Sequence, residues 1–165
     1  MKARVAVINR QPSKESPGKY EVTNVELDEP RQGELLVKLA ATGLCHSDDH
    51  AATGDMPLPF YPFIGGREGA GVVQHVGPNK VRFDVGDHVI FSFIPGCGRC
   101  RWCASGMQNL CDLGAKILSG ERPEEPDSFR VHLADGTIVG QMSGIGTFSD
   151  YTKVSVNSDR QGPSS

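Results

Sequence analysis

Four of the five cysteines lie within one short stretch of the chain. Cys97, Cys100, Cys103 and Cys111 form the pattern C-x₂-C-x₂-C-x₇-C. Thiolates separated by two residues can converge on one ion from a tight turn, and four of them close the tetrahedral shell of a structural zinc site. The spacing therefore predicts that these cysteines bind a structural zinc ion in a lobe spanning residues 95–113.

The main alternative for these cysteines is an iron–sulfur cluster, and four unrelated free thiols are the other. The bacterial cluster spacing ends in C-x₃-C-P, whereas here the last gap is seven residues and Asp112 follows Cys111. Arg99 and Arg101 lie between the cysteines, where positive charge would offset the −2 charge of a zinc tetrathiolate. The pattern favours zinc.

Composition narrows the class of protein around this lobe. The 165 residues are the length of one domain, and 20 glycines with 11 prolines indicate many turns and short strands. The net charge of −3 gives no electrostatic reason to expect nucleic acid or an anionic membrane as partner. No apolar run approaches the roughly 18 residues of a membrane span, and the N-terminus does not resemble a secretory signal. We therefore expect a cytoplasmic protein, where reduced cysteines are available to metals.

The hydrophobic pattern predicts a mainly β chain with minor helix. Strands are predicted at 2–9, 20–27, 34–41, 69–76, 87–93 and 147–156, and a short helix at 45–52. Residues 54–63 and the charged stretch 119–128 are predicted to be loops, the second one exposed. One domain over 1–156 and a polar tail over 157–165 follow from this division.

Three segments of the chain resemble the zinc-dependent medium-chain alcohol dehydrogenases. GDHVIFSFIPGCGRC, followed by NLC, is similar to their structural-zinc lobe, and GLCHSDDHAATGD is similar to their first catalytic segment. GGREGAGVVQHVGPNKVRFDVGDHV resembles their G-H-E-x-x-G stretch and the strands after it, and the whole match covers residues 2–156. MQNLCDLGAKILSG and GTFSDY are most similar to the bacterial subgroup described as nitrosodimethylaniline-dependent. The resemblance implies a GroES-like, partly closed β-barrel that carries a structural-zinc lobe.

The resemblance also implies roles for residues of the second segment. Cys45 matches a thiolate ligand of the catalytic zinc, Ser47 the hydroxyl that takes a proton from the alcohol, and His50 the imidazole that passes it to solvent. His46 would lie near the cofactor pyrophosphate, and Asp48 matches a carboxylate that orients a ligand imidazole. Without the resemblance, each would be a solvated polar residue on a short helix, and Cys45 a small buried side chain.

The sequence departs from the family pattern at residue 67. The family has histidine there as a zinc ligand, whereas this chain reads Gly66-Arg67-Glu68. Arginine offers no lone pair and stays protonated, so it cannot bind Zn²⁺. Two hypotheses follow: Glu68 approaches the metal beside Cys45, because carboxylate oxygen can bind zinc, or Arg67 forms an ion pair with Asp48.

A second departure is length. The family's third protein ligand and its dinucleotide-binding half are expected beyond residue 165, and 140–146 lacks the G-x-G-x-x-G fingerprint. We therefore expect NAD(P) to bind only with that half, and the chain to be the catalytic-domain portion of an enzyme for small alcohols or aldehydes, inactive alone. The alternative is a non-catalytic zinc-binding or interaction protein of the same fold. Either reading predicts an exposed apolar face and self-association.

Overall fold

The computed structural model describes residues 1–79 and 82–161, with the backbone alone over 159–161. The strands are β1 Lys2–Ile8, β2 Tyr20–Leu27, β3 Glu34–Gly43, β4 Phe63–Ile64, β5 Glu68–Val76, β6 His88–Phe91, β7 Val131–His132, β8 Ile138–Gln141, β9 Tyr151–Ser155 and β10 Asp159–Gln161. The α-helices are α1 His46–Thr53 and α2 Arg101–Ala104. Short 3₁₀ turns occupy Gln108–Leu110, Asp112–Lys116, Met142–Gly144 and Val156–Ser158. The chain is mainly β with minor helix, which confirms the predicted fold class.

The strands form a closed barrel and a second sheet. The barrel runs in the order β1-β2-β7-β8-β4, and the five-stranded sheet runs β10-β6-β5-β3-β9. β1 and β2 form an antiparallel hairpin whose register runs from Lys2 opposite Glu26 to Ile8 opposite Tyr20. β4 and β8 form the parallel pair that completes the barrel. A bridge between Val5 and Ser149 links the barrel to the chain just before β9.

Each layer buries its own apolar face. Alternation along β1 sends Ala3, Val5 and Val7 inward, where they meet residues of β2, β7 and β8 in the barrel core. A second cluster fills the five-stranded sheet, with Leu35 and Val37 of β3 fully buried. A third cluster packs Ala51 of α1 against the barrel. This last contact fixes the helix that carries the predicted catalytic segment.

The predicted strands that carry long apolar patterns are confirmed. The boundaries of β2 coincide with the prediction, and β1, β3, β5, β6 and β9 overlap theirs. The predicted helix at 45–52 is α1, displaced by one residue. The prediction missed β4, which ends the supposed loop 54–63, and also β7, β8 and β10, the last of which lies in the predicted polar tail 157–165. Strands of two to four residues are too short for an alternating pattern to be visible.

The prediction that 119–128 is an exposed loop is wrong at Arg122. That side chain is 3% exposed, and its Nε donates to Glu34 Oε1 over 2.9 Å. Arg130, just beyond the stretch, also donates through Nε to the same oxygen over 2.7 Å. Burial alone would raise the pKa of Glu34, but the two guanidinium groups and the Arg31 amide outweigh it and lower the pKa. This charged cluster anchors the beginning of β3, the strand that leads to Cys45.

No helix among residues 1–79 and 82–161 combines the length and the apolar character that crossing a membrane requires.

Candidate metal centres

The four cysteines of the lobe converge on one point. Every pair among their Sγ atoms lies within 4.8 Å, and the Cys97 and Cys103 sulfurs are 3.9 Å apart. A zinc tetrahedron with bonds of about 2.3 Å has edges of about 3.8 Å, so this spacing fits a single zinc ion. An iron–sulfur cluster holds its cysteine sulfurs apart by the width of several metal and sulfide atoms. The distances therefore favour one ion over the cluster.

Tight turns build this site from the backbone. The Cys97 sulfur accepts the Cys100 amide over 3.4 Å, and the Cys100 sulfur accepts the Cys103 amide over 3.5 Å as α2 begins. Gly98 and Gly106 have φ values of +74° and +79°, in the left-handed region that favours glycine. The amide of Cys97 donates to the sulfur of Cys111 over 3.4 Å, which joins the two ends of the loop.

The surroundings of three of the four thiols shift their pKa values in opposite directions, and a bound metal would favour the thiolate form of all four. Backbone amides of Asp112 and Cys103 lower the pKa of Cys100 to about 6. Burial raises the pKa of Cys103 to about 12 and also raises that of Cys111. Zinc binds thiolates, so metal binding supplies the counter-charge that the buried sulfurs need to lose their protons. The residues fit a structural zinc ion. The sequence predicted which cysteines meet, but the distances between their sulfur atoms come from the structure.

The second candidate centre begins at Cys45, which precedes α1 as its N-cap residue. The carboxylate of Asp48 is fully buried and accepts two backbone amides, from Cys45 over 3.0 Å and from Gly66 over 2.8 Å. The Tyr20 hydroxyl donates to the Asp48 carbonyl oxygen over 3.1 Å, and burial raises the pKa of Tyr20. Asp48 thus ties the beginning of the helix to the residue just before Arg67.

Arg67 contacts Cys45 directly. Its Nε donates to the Cys45 sulfur over 3.3 Å, and its guanidinium carbon lies 4.6 Å from the ring centroid of Phe93. Gly66, with φ +84° and no room for a Cβ beside Thr147, turns the chain at this point. The hypothesised ion pair between Arg67 and Asp48 is not formed: the guanidinium donates to the Cys45 sulfur, and the Asp48 carboxylate accepts two backbone amides.

The remaining predicted residues of α1 lie beside Cys45 on the same short helix. His46 and His50 are exposed and their ring centroids are 4.9 Å apart, while Ser47 is half-buried. His50 Nδ1 lies 3.7 Å from an Asp55 carboxylate oxygen. The roles that the resemblance implies for these residues stay predictions.

Glu68 is exposed at the beginning of β5, and its carboxylate lies over Gly43. A Cβ on Gly43 would come within 2.7 Å of Glu68 Oε2. Apart from the four-cysteine cluster, the described part of the chain holds no other group of three histidine, cysteine or carboxylate ligands close enough for a metal. Cys45 and Glu68 are therefore not part of a group of three ligands in the described residues. Their assignment to a catalytic zinc stays a prediction.

Sequence reasoning missed two features of this centre. It assigned Asp48 as the partner of Arg67 where the structure has Cys45, and it gave Phe93 no role. The available signal was an aromatic residue at the end of the strand predicted over 87–93. In the structure β6 ends at Phe91, and Phe93 lies beyond it, 40% exposed, with the Arg67 guanidinium over its ring.

The barrel and the cysteine lobe define the class of protein. The family described as the alcohol dehydrogenase GroES-like domain matches residues 31–159, and the chain belongs to this family. The chain is 48% identical over 159 residues to the NDMA-dependent alcohol dehydrogenase of Amycolatopsis methanolica, covering 96% of this chain and 40% of that protein. It is 47% identical over 135 residues to alcohol dehydrogenase B of Mycobacterium bovis, covering 82% and 36%.

Solved structures agree with this assignment. A zinc-binding-domain alcohol dehydrogenase from Burkholderia ambifaria superposes with a TM-score of 0.85 at 28% identity, covering 99% of this chain and 42% of that one. Benzyl alcohol dehydrogenase from Acinetobacter calcoaceticus gives 0.77 at 27% identity, covering 99% and 41%. The chain spans about 40% of the length of the curated relatives it matches.

Proposed function

We propose that this chain is the catalytic-domain portion of a zinc-dependent alcohol dehydrogenase that interconverts small alcohols and aldehydes with a nicotinamide cofactor. One observation carries the proposal: in a chain of this family, four cysteine sulfurs lie within 4.8 Å of one another. Residues 1–156 form most of the domain and 95–113 its zinc lobe, and the predicted tail 157–165 includes residues that pair with β6 as β10. The setting is the cytoplasm, where reduced thiols persist, with no nucleic acid and no membrane as partner.

In this proposal the four lobe cysteines hold a structural zinc ion. The segment around them has little apolar surface to bury, and its three helical turns, one α and two 3₁₀, are three to five residues long. The ion, when bound, supplies a cross-link between turns that could not form a core on their own.

The residues of α1 take the parts that the resemblance implies. Ser47 receives the proton of the alcohol and His50, exposed beside Asp55, releases it to solvent. His46, one helical turn before His50 on an exposed face, contacts the cofactor pyrophosphate. Asp48 acts as a positioning residue, since its buried carboxylate fixes the backbone of Cys45.

We also propose that residues 1–165 alone do not oxidise alcohols. The resemblance leaves Cys45 as one ligand for a catalytic zinc, with Glu68 as a hypothesised second, and the Arg67 guanidinium already donates to the Cys45 sulfur. We expect NAD(P) to bind to the part of the relatives that this chain does not cover. Exposed apolar side chains such as Leu44, Val85 and Ile90 favour self-association, which sedimentation of the purified chain would detect as a dimer or larger species.

A chimera tests the catalytic proposal most directly. The chain replaces the matching segment of the Amycolatopsis methanolica relative, and the chimera is assayed with primary alcohols in three forms: with Arg67 retained, with Arg67→His and with Arg67→Gln. We expect turnover from the histidine form alone, because imidazole supplies a metal ligand and the amide of glutamine does so poorly. A folded histidine chimera with a zinc-loaded lobe and no turnover would contradict the proposal.

A second function, a non-catalytic zinc-binding or interaction protein of the same fold, is favoured by the contact between Arg67 and Cys45. This contact leaves the structural lobe as the one complete ligand set among the described residues. The discriminating result is the same chimera: if none of the three forms turns over alcohol while each binds one zinc, the second function is supported.

A further inference from the structure

The Arg67 guanidinium lies where the family resemblance expects a metal ligand, and its surroundings hold it there. Nε donates to the Cys45 sulfur over 3.3 Å, while the face of the guanidinium lies 4.6 Å from the centroid of Phe93. A hydrogen bond on one side and an aromatic face on the other fix a planar cation with little freedom.

A metal ion at the same sulfur would have to displace this arrangement. Zinc bonds to thiolate sulfur at about 2.3 Å, which would bring a dication beside the permanently charged guanidinium. The hydrogen bond from Nε takes one lone pair of the Cys45 sulfur, and the positive charge that stays beside the remaining lone pairs repels a dication. Arginine has no lone pair to offer in exchange.

The backbone around the pair is nevertheless in place. Asp48 accepts the amides of Cys45 and Gly66, so the positions of residues 45 and 67 are fixed relative to each other by a group that is fully buried. Among the described residues, the difference between this centre and a metal site therefore lies in the side chain of residue 67, whose backbone position is held through Asp48.

We propose that the guanidinium of Arg67 is the resident cation of the Cys45 centre and keeps metal from it. This inference rests on the proposed function only in taking Cys45 as the position of a second metal. The chain then binds one metal ion, in the cysteine lobe, and a single substitution, Arg67→His, opens a second binding position at Cys45.

Cobalt titration of the zinc-loaded chain tests the proposal. Zinc is measured first, so that failure of the lobe to hold zinc is recorded separately as failure of the proposed function. Excess Co²⁺ is then added to the wild type and to Arg67→His. We expect the histidine variant to gain one ion per chain, with thiolate-to-cobalt charge-transfer absorption, and the wild type to gain neither.

Two matched variants locate the effect. Arg67→Gln removes the charge without supplying an imidazole and should bind cobalt more weakly than Arg67→His but more than the wild type, and Cys45→Ser combined with Arg67→His should lose the charge-transfer absorption. A second ion at Cys45 in the wild type would overturn the proposal. So would an Arg67→His chain that keeps its lobe zinc and takes up no cobalt.

Alkylation of the wild-type chain keeps the test independent of whether the variants fold. Iodoacetamide labelling of Cys45 is followed by peptide mass spectrometry with and without excess Co²⁺. We expect cobalt to leave the labelling rate unchanged, because the ion does not reach the sulfur. Protection of Cys45 by cobalt in the wild type would overturn the proposal.

Discussion

The two sulfur centres of this molecule have the same position relative to a helix but different neighbours. Cys100 and Cys45 are both N-cap residues of short α-helices. Around Cys100 the neighbours are three more sulfurs within 4.8 Å, whereas the neighbour of Cys45 is a guanidinium whose Nε donates to it over 3.3 Å. Both sulfurs accept an N–H, but Cys100 has further sulfurs beside it that can complete the ligand set of a metal, whereas Cys45 has a cation beside it.

The difference also reflects how each centre is assembled. The lobe draws its four ligands from fifteen consecutive residues, from Cys97 to Cys111. The Cys45 centre depends on α1, on the turn at Gly66 and on Phe93, which lie on separate parts of the chain. The local centre therefore depends on the folding of one loop, whereas the dispersed centre depends on three separate segments being held together.

The largest expected effect comes from breaking the local centre with Cys103→Ser. Its thiol is buried among the other three, and structural zinc contributes about 10–16 kcal/mol of apparent binding free energy in small zinc domains. We expect the zinc content to fall from one per chain to nearly none and the lobe to lose its order. Metal analysis and amide hydrogen exchange over 95–113 measure both effects.

Cys45→Ser is the control for that experiment. It removes a thiol of the same type outside the lobe, and we expect it to leave the zinc content unchanged. An equal loss of zinc in the two variants would remove the distinction between the centres.

Glu34→Gln is expected to have the next largest effect, on the free energy of unfolding, at a buried charge cluster outside both sulfur centres. It leaves the guanidinium groups of Arg122 and Arg130 buried without their shared carboxylate, which costs about 3–5 kcal/mol when a buried ion pair loses one partner. Urea unfolding at neutral pH should show this loss, while the zinc content of the lobe stays at one per chain.

The pH dependence of that difference follows from the lowered pKa of Glu34. A carboxylate whose folded-state pKa is below its ordinary value of 4.5 stabilises the protein above that pH. The contribution is lost as pH falls below 4.5 through the folded-state pKa, so wild type and Glu34→Gln should converge in acid. Glu125→Gln, at an exposed ion pair with Arg31, is the control and should cost less than about 1 kcal/mol.

The sequence could predict the parts of the molecule that have local signals. The strand Tyr20–Leu27 was predictable from apolar spacing, and the lobe from cysteine spacing, because each pattern is contained in a short window. The closure of the barrel was not, because β4 and β7 are two residues long and pair with distant strands.

Long-range partners were the other limit. Arg122 is in a charged stretch that indicates exposure, and its burial depends on Glu34, which is 88 residues away along the chain. Arg67 was expected to replace the interaction that the family histidine makes with Asp48. The structure instead gives both carboxylate oxygens of Asp48 to backbone amides, an arrangement of the folded turn that residue types alone do not specify.

Asp48→Asn is expected to have a smaller effect and to act at the Cys45 centre. The buried carboxylate accepts two amides, and an amide side chain can accept only one of them, which costs about 1–3 kcal/mol for the donor left unpaired. We expect a lower midpoint of urea unfolding and faster alkylation of Cys45, because the pair with Arg67 is no longer held in place.

Asp49→Asn provides the matched control, since Asp49 is the next residue of α1 and is exposed. It should change neither the unfolding midpoint nor the alkylation rate. If both variants behave alike, Asp48 does not position the Cys45 centre.

The central claim is that one of the two sulfur centres holds a metal and the other holds a guanidinium. Native mass spectrometry of the wild-type chain and of Cys45→Ser, each purified with excess zinc and then dialysed, tests it most directly. The account predicts one zinc ion per chain in both proteins. Two ions in the wild type that fall to one in Cys45→Ser would contradict it.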